Sequence, residues 1–373
     1  MTELTIVVGA RPNFMKAAPL IRALAKTHFT LRVLHTGQHY DAGMSDIFLS
    51  QLGVGQPDVF LEVGSGRHGE QTARVLEAFE KYLLNAPAVQ RGVVVVGDVN
   101  STMACAITAA KLNIPVAHVE AGLRSFDRSM PEEINRIVTD AVSDLLFVSE
   151  PSGLSNLDHE GVPASKIHYV GNVMIDSLVH ELPIAGQMDI RAVFGLEPHK
   201  YALVTLHRPS NVDNVQRSTE LLTFFLHVSK ELPIVFPMHP RTRKSLSAAG
   251  LIEQLSSNPR IKILEPLGYR ENLGLMMSAK VVLTDSGGMQ EETSYLGIPC
   301  LTLRSNTERP ITITHGTNTL VGDDLGRAYQ EFANILAGVH HQSLPITGWD
   351  GHAAERIAKI LDTNWSGGSV VWT

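Results

Sequence analysis

A carboxylate at the end of a buried strand costs free energy unless it is used or paired, and the stretch from Pro115 to Arg136, PVAHVEAGLRSFDRSMPEEINR, carries one. The apolar pattern of Ile114–Val119 predicts a strand. Glu120 follows it, then Asp127, then Glu132 and Glu133 at the start of a helical pattern. Asp98 is a comparable acid, because Gly97-Asp98 closes the apolar run Gly92–Val96. In open α/β sheets ligands sit at strand carboxyl ends. Two readings of Glu120 stand side by side: a structural ion pair with Arg124 or Arg136, or acid/base chemistry beside a second acid.

Cations recur at the same kind of position. Gly9-Ala10-Arg11-Pro12, followed by Lys16, is a strand-to-helix turn whose helix N-terminus and two cations suit a phosphate. A tight turn with a solvated arginine fits it equally well. Asp285-Ser286-Gly287-Gly288-Met289-Gln290-Glu291-Glu292 brings bare backbone N–H groups to a helix start, which suits a diphosphate, with a helix acid reaching ribose hydroxyls. Plain capping and helix-dipole acids would explain Glu291 or Glu292 but not paired glycines, which weaken a helix start unless something approaches closely. His207, followed by Arg208, ends the first strand of the second half and is suited to receive a leaving phosphate as acid or positive donor. His239-Pro240-Arg241-Thr242-Arg243 and Thr307-Glu308-Arg309-Pro310 place further cations at strand ends. Gly64-Ser65-Gly66-Arg67-His68-Gly69 matches G-x-G-x-x-G, but it follows a later, weak strand and lacks an acid about 20 residues on, so a turn is expected rather than a nicotinamide or flavin site.

The elements that must position these residues alternate along the chain. Strands are expected at Leu4–Val8, Leu31–Leu34, Gly92–Val96, Ile114–Val119 and Leu145–Val148, with helices at Phe14–Lys26, Arg74–Leu84, Ser101–Leu112 and Glu132–Val142. The Arg74–Leu84 helix places Leu76, Phe79 and Leu83 on one face. Around Gly171–Gly186 the pattern loosens, which puts a domain boundary near Gly171. The alternation then resumes, with strands at Leu203–Leu206, Ile234–Pro237, Ile261–Leu264, Val281–Leu283 and Cys300–Leu303, and helices at Asn214–Leu232, Asn272–Ser278, Gly288–Leu296 and Leu325–Ala337. The tail, His352–Leu361, reads as one more amphipathic helix. This succession predicts an α/β protein of two Rossmann-like domains facing a central cleft, residues 1–171 and 172–351.

Bulk properties narrow the function. A chain of 373 residues exceeds one ordinary core, and 44% hydrophobic with 18% charged residues reads as well-packed globular. A net charge of −7 without a basic run argues against nucleic acid, while a local Arg/Lys cluster still admits a small anion. Cys105 and Cys300 lie far apart in apolar stretches, as reduced core thiols of a cytoplasmic protein would. No signal peptide or membrane span is expected, and no Cys/His spacing resembles a metal site.

Together the motifs resemble the non-hydrolysing UDP-N-acetylglucosamine 2-epimerases nearly end to end. The resemblance is carried by Gly9–Pro12 with Lys16, Thr36-Gly37-Gln38-His39, Gly97-Asp98, His118–Arg124, Pro131–Glu133 with Asn135-Arg136, His207-Arg208, Asp285–Glu292 and Thr307–Pro310. It implies a GT-B-type fold whose C-terminal helix, about 352–373, crosses back to the first domain. It also implies elimination of UDP across C1–C2 to a 2-acetamidoglucal, then re-addition with the proton delivered to the other face. By position, Asp98, Glu120 and Glu132 resemble the catalytic acids and His207 the catalytic histidine. Arg11, Lys16, His239, Ser286, Gly287, Gly288 and Arg309 resemble UDP and phosphate contacts, and Glu292 the ribose acid. The resemblance implies no metal or redox cofactor, a homodimer, and a second UDP-N-acetylglucosamine as activator near Gln38 and His39.

The match has departures. Many of the plain enzymes carry an acid after Thr-Glu-Arg-Pro, where this chain has Ile311. The 124–130 and 206–210 segments look closer to the subgroup acting on modified sugars such as UDP-2,3-diacetamido-glucuronic acid. A glycosyltransferase, a hydrolysing epimerase and a catalytically silent binding protein are the competing readings. All four acid/base positions are occupied, which weighs against the last.

Overall fold

Val93–Val96 carries no polar alternation, so it needs apolar cover on both faces, as a parallel strand between helix layers receives. All four valines are fully buried. The computed structural model describes residues 3–38, 53, 55–85 and 91–365, the side chains of Arg11 and Arg91 excepted. It divides the chain into two compact units, Met1–Ser177 with Thr347–Thr373, and Leu178–Ile346.

Among the described residues the first unit has strands β1 (Glu3–Val8), β2 (Thr30–His35), β3 (Val59–Phe60), β4 (Arg91–Val96), β5 (Val116–Ala121), β6 (Leu145–Val148) and β7 (Ile167–Tyr169). They pair in parallel in the order β3-β2-β1-β4-β5-β6-β7. The second unit has β8 (Ala202–Thr205), β9 (Ile234–Pro237), β10 (Ile261–Leu264), β11 (Val281–Thr284), β12 (Cys300–Thr302) and β13 (Asn318–Leu320), in the order β10-β9-β8-β11-β12-β13, again parallel. Each sheet winds outward from its first strand and then reverses, so β1 lies beside β4 and β8 beside β11. That reversal is the topological switch point, where the chains leaving adjacent strand ends part and open a crevice.

The longer helices of the first unit are α1 (Arg11–Leu24), α2 (His68–Asn85), α3 (Asn100–Lys111), α4 (Pro131–Val142) and α5 (Pro151–His159). The division between units falls within α6 (Val173–Gln187), where the sequence pattern suggested loosening. Asn172 starts this helix by accepting the Met174 N–H at 2.9 Å, and Val173, Met174, Ile175 and Leu178 are buried. In the second unit come α7 (Val215–Glu231), α8 (Pro240–Ala248), α9 (Tyr269–Met277), α10 (Gly287–Leu296) and α11 (Leu325–Leu336). The last helix, α12 (Ala353–Trp365), returns to the first unit. Its free N-terminus is capped from another helix: Asp176 accepts the N–H groups of Ala353 and Ala354 at 3.1 and 2.7 Å. Its Trp365 lies where a side chain at Gly92 would stand, 2.5 Å from that position.

Two local details differ from the sequence pattern. α2 buries Val75, Phe79 and Leu83, an i, i+4, i+8 stripe, and leaves Leu76 half-buried. β5 runs two residues further than the apolar run implied, so Glu120 lies inside the strand. The G-x-G-x-x-G turn at residues 64–69 follows β3, the edge strand, and its His68 ring stands 3.2 Å from the Asn100 amide. No helix among the described residues is long and apolar enough to cross a membrane.

One backbone contact among those that hold the C-terminal segment leaves no room for a side chain. Gly171 has φ +83°, and a Cβ there would stand 1.9 Å from the Gly348 carbonyl oxygen. Gly161 has a similar φ, +76°, with open space around it. Gly171→Ala is therefore expected to cost about 3 kcal/mol in urea unfolding of the full chain, and Gly161→Ala about 1 kcal/mol. Equal costs would show that the Gly171–Gly348 contact does not constrain the fold.

Candidate active site

The first unit gathers its acids at the carboxyl ends of β4 and β5. Val119 and Ala121 pair with the consecutive residues Phe147 and Val148, so Glu120 is the extra residue of a bulge. Its φ is +76°, a conformation that costs a non-glycine residue about 1–2 kcal/mol. The bulge turns the Glu120 side chain onto Lys16, and the two form an ion pair, each more than nine-tenths buried. The sequence offered Arg124 or Arg136 as its partner. Those guanidiniums are engaged elsewhere: Arg124 with Asp140 at 2.7 Å and with Glu160 at 2.7 Å, Arg136 with Asp98 at 2.5 Å and Glu133 at 2.7 Å. Gly97, at φ +70°, leaves room for the pair, since a Cβ there would lie 3.1 Å from the Lys16 ammonium.

Asp98 sits one residue past that glycine, partly exposed, and its carboxylate receives Arg136. The backbone leading to it is held by side chains. The Val96 carbonyl accepts from Asn13 at 2.8 Å and Thr102 at 2.9 Å, and the Asp98 carbonyl accepts from Asn135 at 2.9 Å.

The neighbouring acids Glu132 and Glu133, in the first turn of α4, have different tasks. Glu133 is buried and accepts the N–H groups of Ser125 and Phe126, each at 2.9 Å, together with the Arg136 guanidinium. Burial opposes its charge, but these donors outweigh burial and hold its carboxyl below the usual range. Glu132 is half-buried and makes no hydrogen bond or ion pair among the described residues, which leaves its carboxylate available. Arg11 is the first residue of α1. Gln38 is buried, accepting the Ser101 N–H at 3.0 Å and hydroxyl at 2.7 Å. His39 lies outside the described residues.

In the second unit the centre is Asp285, fully buried at the end of β11. It accepts the N–H groups of His207 and Arg208, at 3.1 and 2.9 Å, and the Asn211 amide at 3.1 Å, fixing the turn after β8. The same carboxylate stands 3.2 Å from the His207 Nδ1. Burial pushes the His207 imidazole down; Asp285 pulls the other way, and Arg208, Arg304 and Arg241 add to the lowering. The neutral ring then places its hydrogen on Nδ1, toward Asp285, and presents the Nε2 lone pair. His239 stands with its ring centroid 5.8 Å from that of His207 and caps α8 through the Arg241 N–H.

Ser286 precedes α10 without capping it, so the hydroxyl leaves the first N–H groups of that helix uncovered. The close approach expected at Gly287 is made by the chain itself: a Cβ there would meet the Arg309 guanidinium at 2.8 Å. Arg309 is itself buried in ion pairs with Glu291, at 2.7 Å, and Glu308. Gly288 continues the same turn into α10. Glu292 is buried one turn on, and burial raises its carboxyl to about 7 although Tyr269 donates to it at 2.8 Å.

Residues the sequence reading did not assign are the ones that orient the others: Asp285, Asn13 and Asn135. Their signal was faint but present. Asn135 and Arg136 follow Glu132 by three and four positions, the spacing of one helix face.

The Lys16–Glu120 pair can be tested directly. Lys16→Met leaves a buried carboxylate without its ammonium and is expected to cost about 3 kcal/mol in urea unfolding. Adding Glu120→Gln to that variant should restore most of the loss. Simple additivity of the two substitutions would show that the pair is uncoupled.

Comparison with known proteins agrees with this geometry. The family model for UDP-N-acetylglucosamine 2-epimerase matches residues 22–362. A UDP-N-acetylglucosamine 2-epimerase of Methanocaldococcus jannaschii is 44% identical over 365 residues, covering 96% of this chain and 98% of the relative. A UDP-2,3-diacetamido-2,3-dideoxy-D-glucuronate 2-epimerase of Pseudomonas aeruginosa is 38% identical over 374 residues, covering 96% and 99%. The crystal structure of the M. jannaschii UDP-GlcNAc 2-epimerase in complex with UDP-GlcNAc and UDP superposes with a TM-score of 0.89, covering 97% of this chain and 99% of that one. The fold is the GT-B-type α/β architecture of these enzymes, and the chain belongs to the UDP-N-acetylglucosamine 2-epimerase family.

Proposed function

We propose that this enzyme interconverts UDP-N-acetylglucosamine and UDP-N-acetylmannosamine by eliminating UDP and adding it back. The observation that carries the reading is the placement of Asp98 and Glu120 at the ends of adjacent strands, each paired with its own cation, Arg136 and Lys16. The C2–H of a sugar is not acidic, so inversion there needs transient oxidation or departure of a leaving group, and the weak dinucleotide signal at residues 64–69 favours the second. A carboxylate takes the C2 proton, the C1–O bond breaks, and its electron pair leaves with UDP, giving a C1=C2 enol ether. In the return step a proton is added to the opposite face of C2 and the diphosphate oxygen attacks C1. Two-faced proton traffic needs more than one acid/base group, and Asp98, Glu120 and Glu132 supply three.

Departure of UDP is helped by positive charge and N–H dipoles that are in place beforehand. Arg11, Lys16, His239, Ser286, Gly287, Gly288 and Arg309 are the proposed contacts or supports for the diphosphate. His207, oriented by Asp285 with Nε2 exposed, exchanges a proton near it. Glu292 accepts from the ribose hydroxyls. The expected setting is a cytoplasmic homodimer supplying N-acetylmannosamine-type donors for surface polysaccharide, with a second UDP-N-acetylglucosamine as activator at Gln38 and His39. A second reading, epimerisation of a diacetamido-uronic acid donor, is favoured by the P. aeruginosa relative and by Ile311 after the Thr-Glu-Arg-Pro motif.

Proton NMR with UDP-N-acetylglucosamine in deuterated water, without added cofactor, tests the reaction. Loss of the C2 proton signal with appearance of the UDP-N-acetylmannosamine anomeric signal is expected, and Glu120→Gln or Glu132→Gln should abolish the exchange. Accumulation of UDP with free N-acetylmannosamine would mean hydrolysis. Absence of exchange with this sugar but exchange with the diacetamido-uronic acid donor would select the second reading.

The Glu292 carboxyl makes a pH prediction. Below about pH 7 the free protein holds it protonated, so a ligand that needs the carboxylate must displace a proton. UDP-N-acetylglucosamine affinity, measured by calorimetry on the Glu120→Gln variant, should rise as pH increases toward 7 and level off above it. Adding Glu292→Gln should flatten the profile. A profile unchanged by that substitution would remove Glu292 from the ribose site.

A further inference from the structure

His118 lies on β5, two residues before Glu120, and is completely buried. Its Nδ1 is 2.6 Å from the Asp140 carboxylate and its Nε2 is 2.8 Å from the Gly97 carbonyl oxygen. Both neighbours are acceptors and neither has a hydrogen to give. The ring therefore bridges two acceptors, a side-chain carboxylate and a backbone carbonyl. Asp140 meets it with charge: burial alone would raise that carboxyl, but His118 and Arg124 outweigh burial and lower it. The other Asp140 oxygen takes the Gly122 N–H at 3.1 Å and Arg124 at 2.7 Å, and Arg124 continues to Glu160.

A buried chain of ions is a poor way to gain stability, since apolar side chains of similar volume do as well or better. Its connections indicate a different role. Gly97 is the residue of positive φ that turns the chain from β4 into Asp98. On one side the Val96 carbonyl is held by Asn13 and Thr102, and on the other the Asp98 carbonyl by Asn135. The Gly97 carbonyl between them is held by His118. One side chain of β5 thus ties the strand that carries Glu120 to the turn that carries Asp98.

We propose that His118 is a positioning residue: its ring holds the Gly97 carbonyl through Nε2, is itself set by Asp140 at Nδ1, and so fixes the Asp98 carboxylate relative to Glu120. The proposal rests on the reading that Asp98 and Glu120 act at C2.

Two amides separate its two hydrogen bonds. The Gln side-chain nitrogen falls near the histidine Nε2 and can keep the bond to Gly97; the Asn nitrogen falls near Nδ1 and can keep only the bond to Asp140. His118→Asn is expected to lower kcat by about tenfold or more with KM and UDP affinity nearly unchanged, since small misplacement of reacting groups is costly. His118→Gln should remain within about threefold of the parent. An Asn variant with parental kcat, or equal losses in both variants, would overturn the proposal. Asp98→Asn and Glu120→Gln, measured beside them, separate the two levels. If those two stay active the underlying reading fails. If they are dead while His118→Asn is fully active, only the positioning role fails. Should neither His118 variant fold, 15N-histidine spectra of the parent protein still decide. They must contain an Nε2–H proton protected from solvent exchange, and its absence would overturn the proposal.

Discussion

Carboxylates at the ends of buried parallel strands must keep their charge where water is scarce, and this requirement shapes the whole first unit. Glu120 is paired with the Lys16 ammonium, which reaches it from the second turn of α1. For that contact to exist, Gly97 must have no side chain, β5 must bulge, and Glu120 must take a backbone conformation that ordinary residues avoid. Asp98 is satisfied by Arg136, and Arg136 is in turn held by Glu133. Arg136 stands between Asp98 and Glu133, and Arg124 between Asp140 and Glu160, while Lys16 meets Glu120. A single ion pair of this kind is weak evidence of stability. Several that converge on two carboxylates are better explained by the geometry they impose.

The second unit solves the same problem differently. Its strand-end acid, Asp285, is satisfied by two backbone N–H groups and an amide. Those donors are neutral, so the Asp285 carboxylate remains a source of negative potential beside His207 without being cancelled by a cation. The sheets share one order through their first six strands, and in each an acid follows the strand beside the first one, Asp98 after β4 and Asp285 after β11. The first unit surrounds its acids with cations, whereas the second uses its acid to orient a histidine among Arg208, Arg241 and Arg304.

The alternation of strands and helices was legible because continuous β-branched runs have few alternatives to a buried parallel strand. Short elements were not: β7 and β13 have three residues each, too few to carry a period. The strand-end positions of Asp98, Glu120 and His207 could be read because each follows an apolar run. The partner of Glu120 could not, since Lys16 lies about a hundred residues away and only the β1–β4–β5 order brings it near. Arg124 and Arg136 were plausible from local spacing, and each of them meets another acid in the fold, Asp140 and Asp98. At Gly287 the sequence shows that something must come close to the backbone but not what, and the Arg309 guanidinium, 2.8 Å from where a Cβ would stand, is one such neighbour.

Why two adjacent glutamates, Glu132 and Glu133, begin α4 follows from helix geometry. Successive residues differ by about 100° around the axis, so one can face the core while the other faces outward. Glu133 turns inward and closes the 122–130 loop by accepting the N–H groups of Ser125 and Phe126. Phe126 has φ +59° and is 78% exposed, so its own packing does not hold it there. The Glu133 carboxylate does, and it is the same carboxylate that steadies Arg136 against Asp98. Glu132, one position earlier, is spared from both tasks and keeps its oxygens free among the described residues. A helix that supplied only one acid would have to choose between building the loop and facing a substrate. With two, the structural carboxylate and the available one are one peptide bond apart, and the rigidity of the first fixes the position of the second.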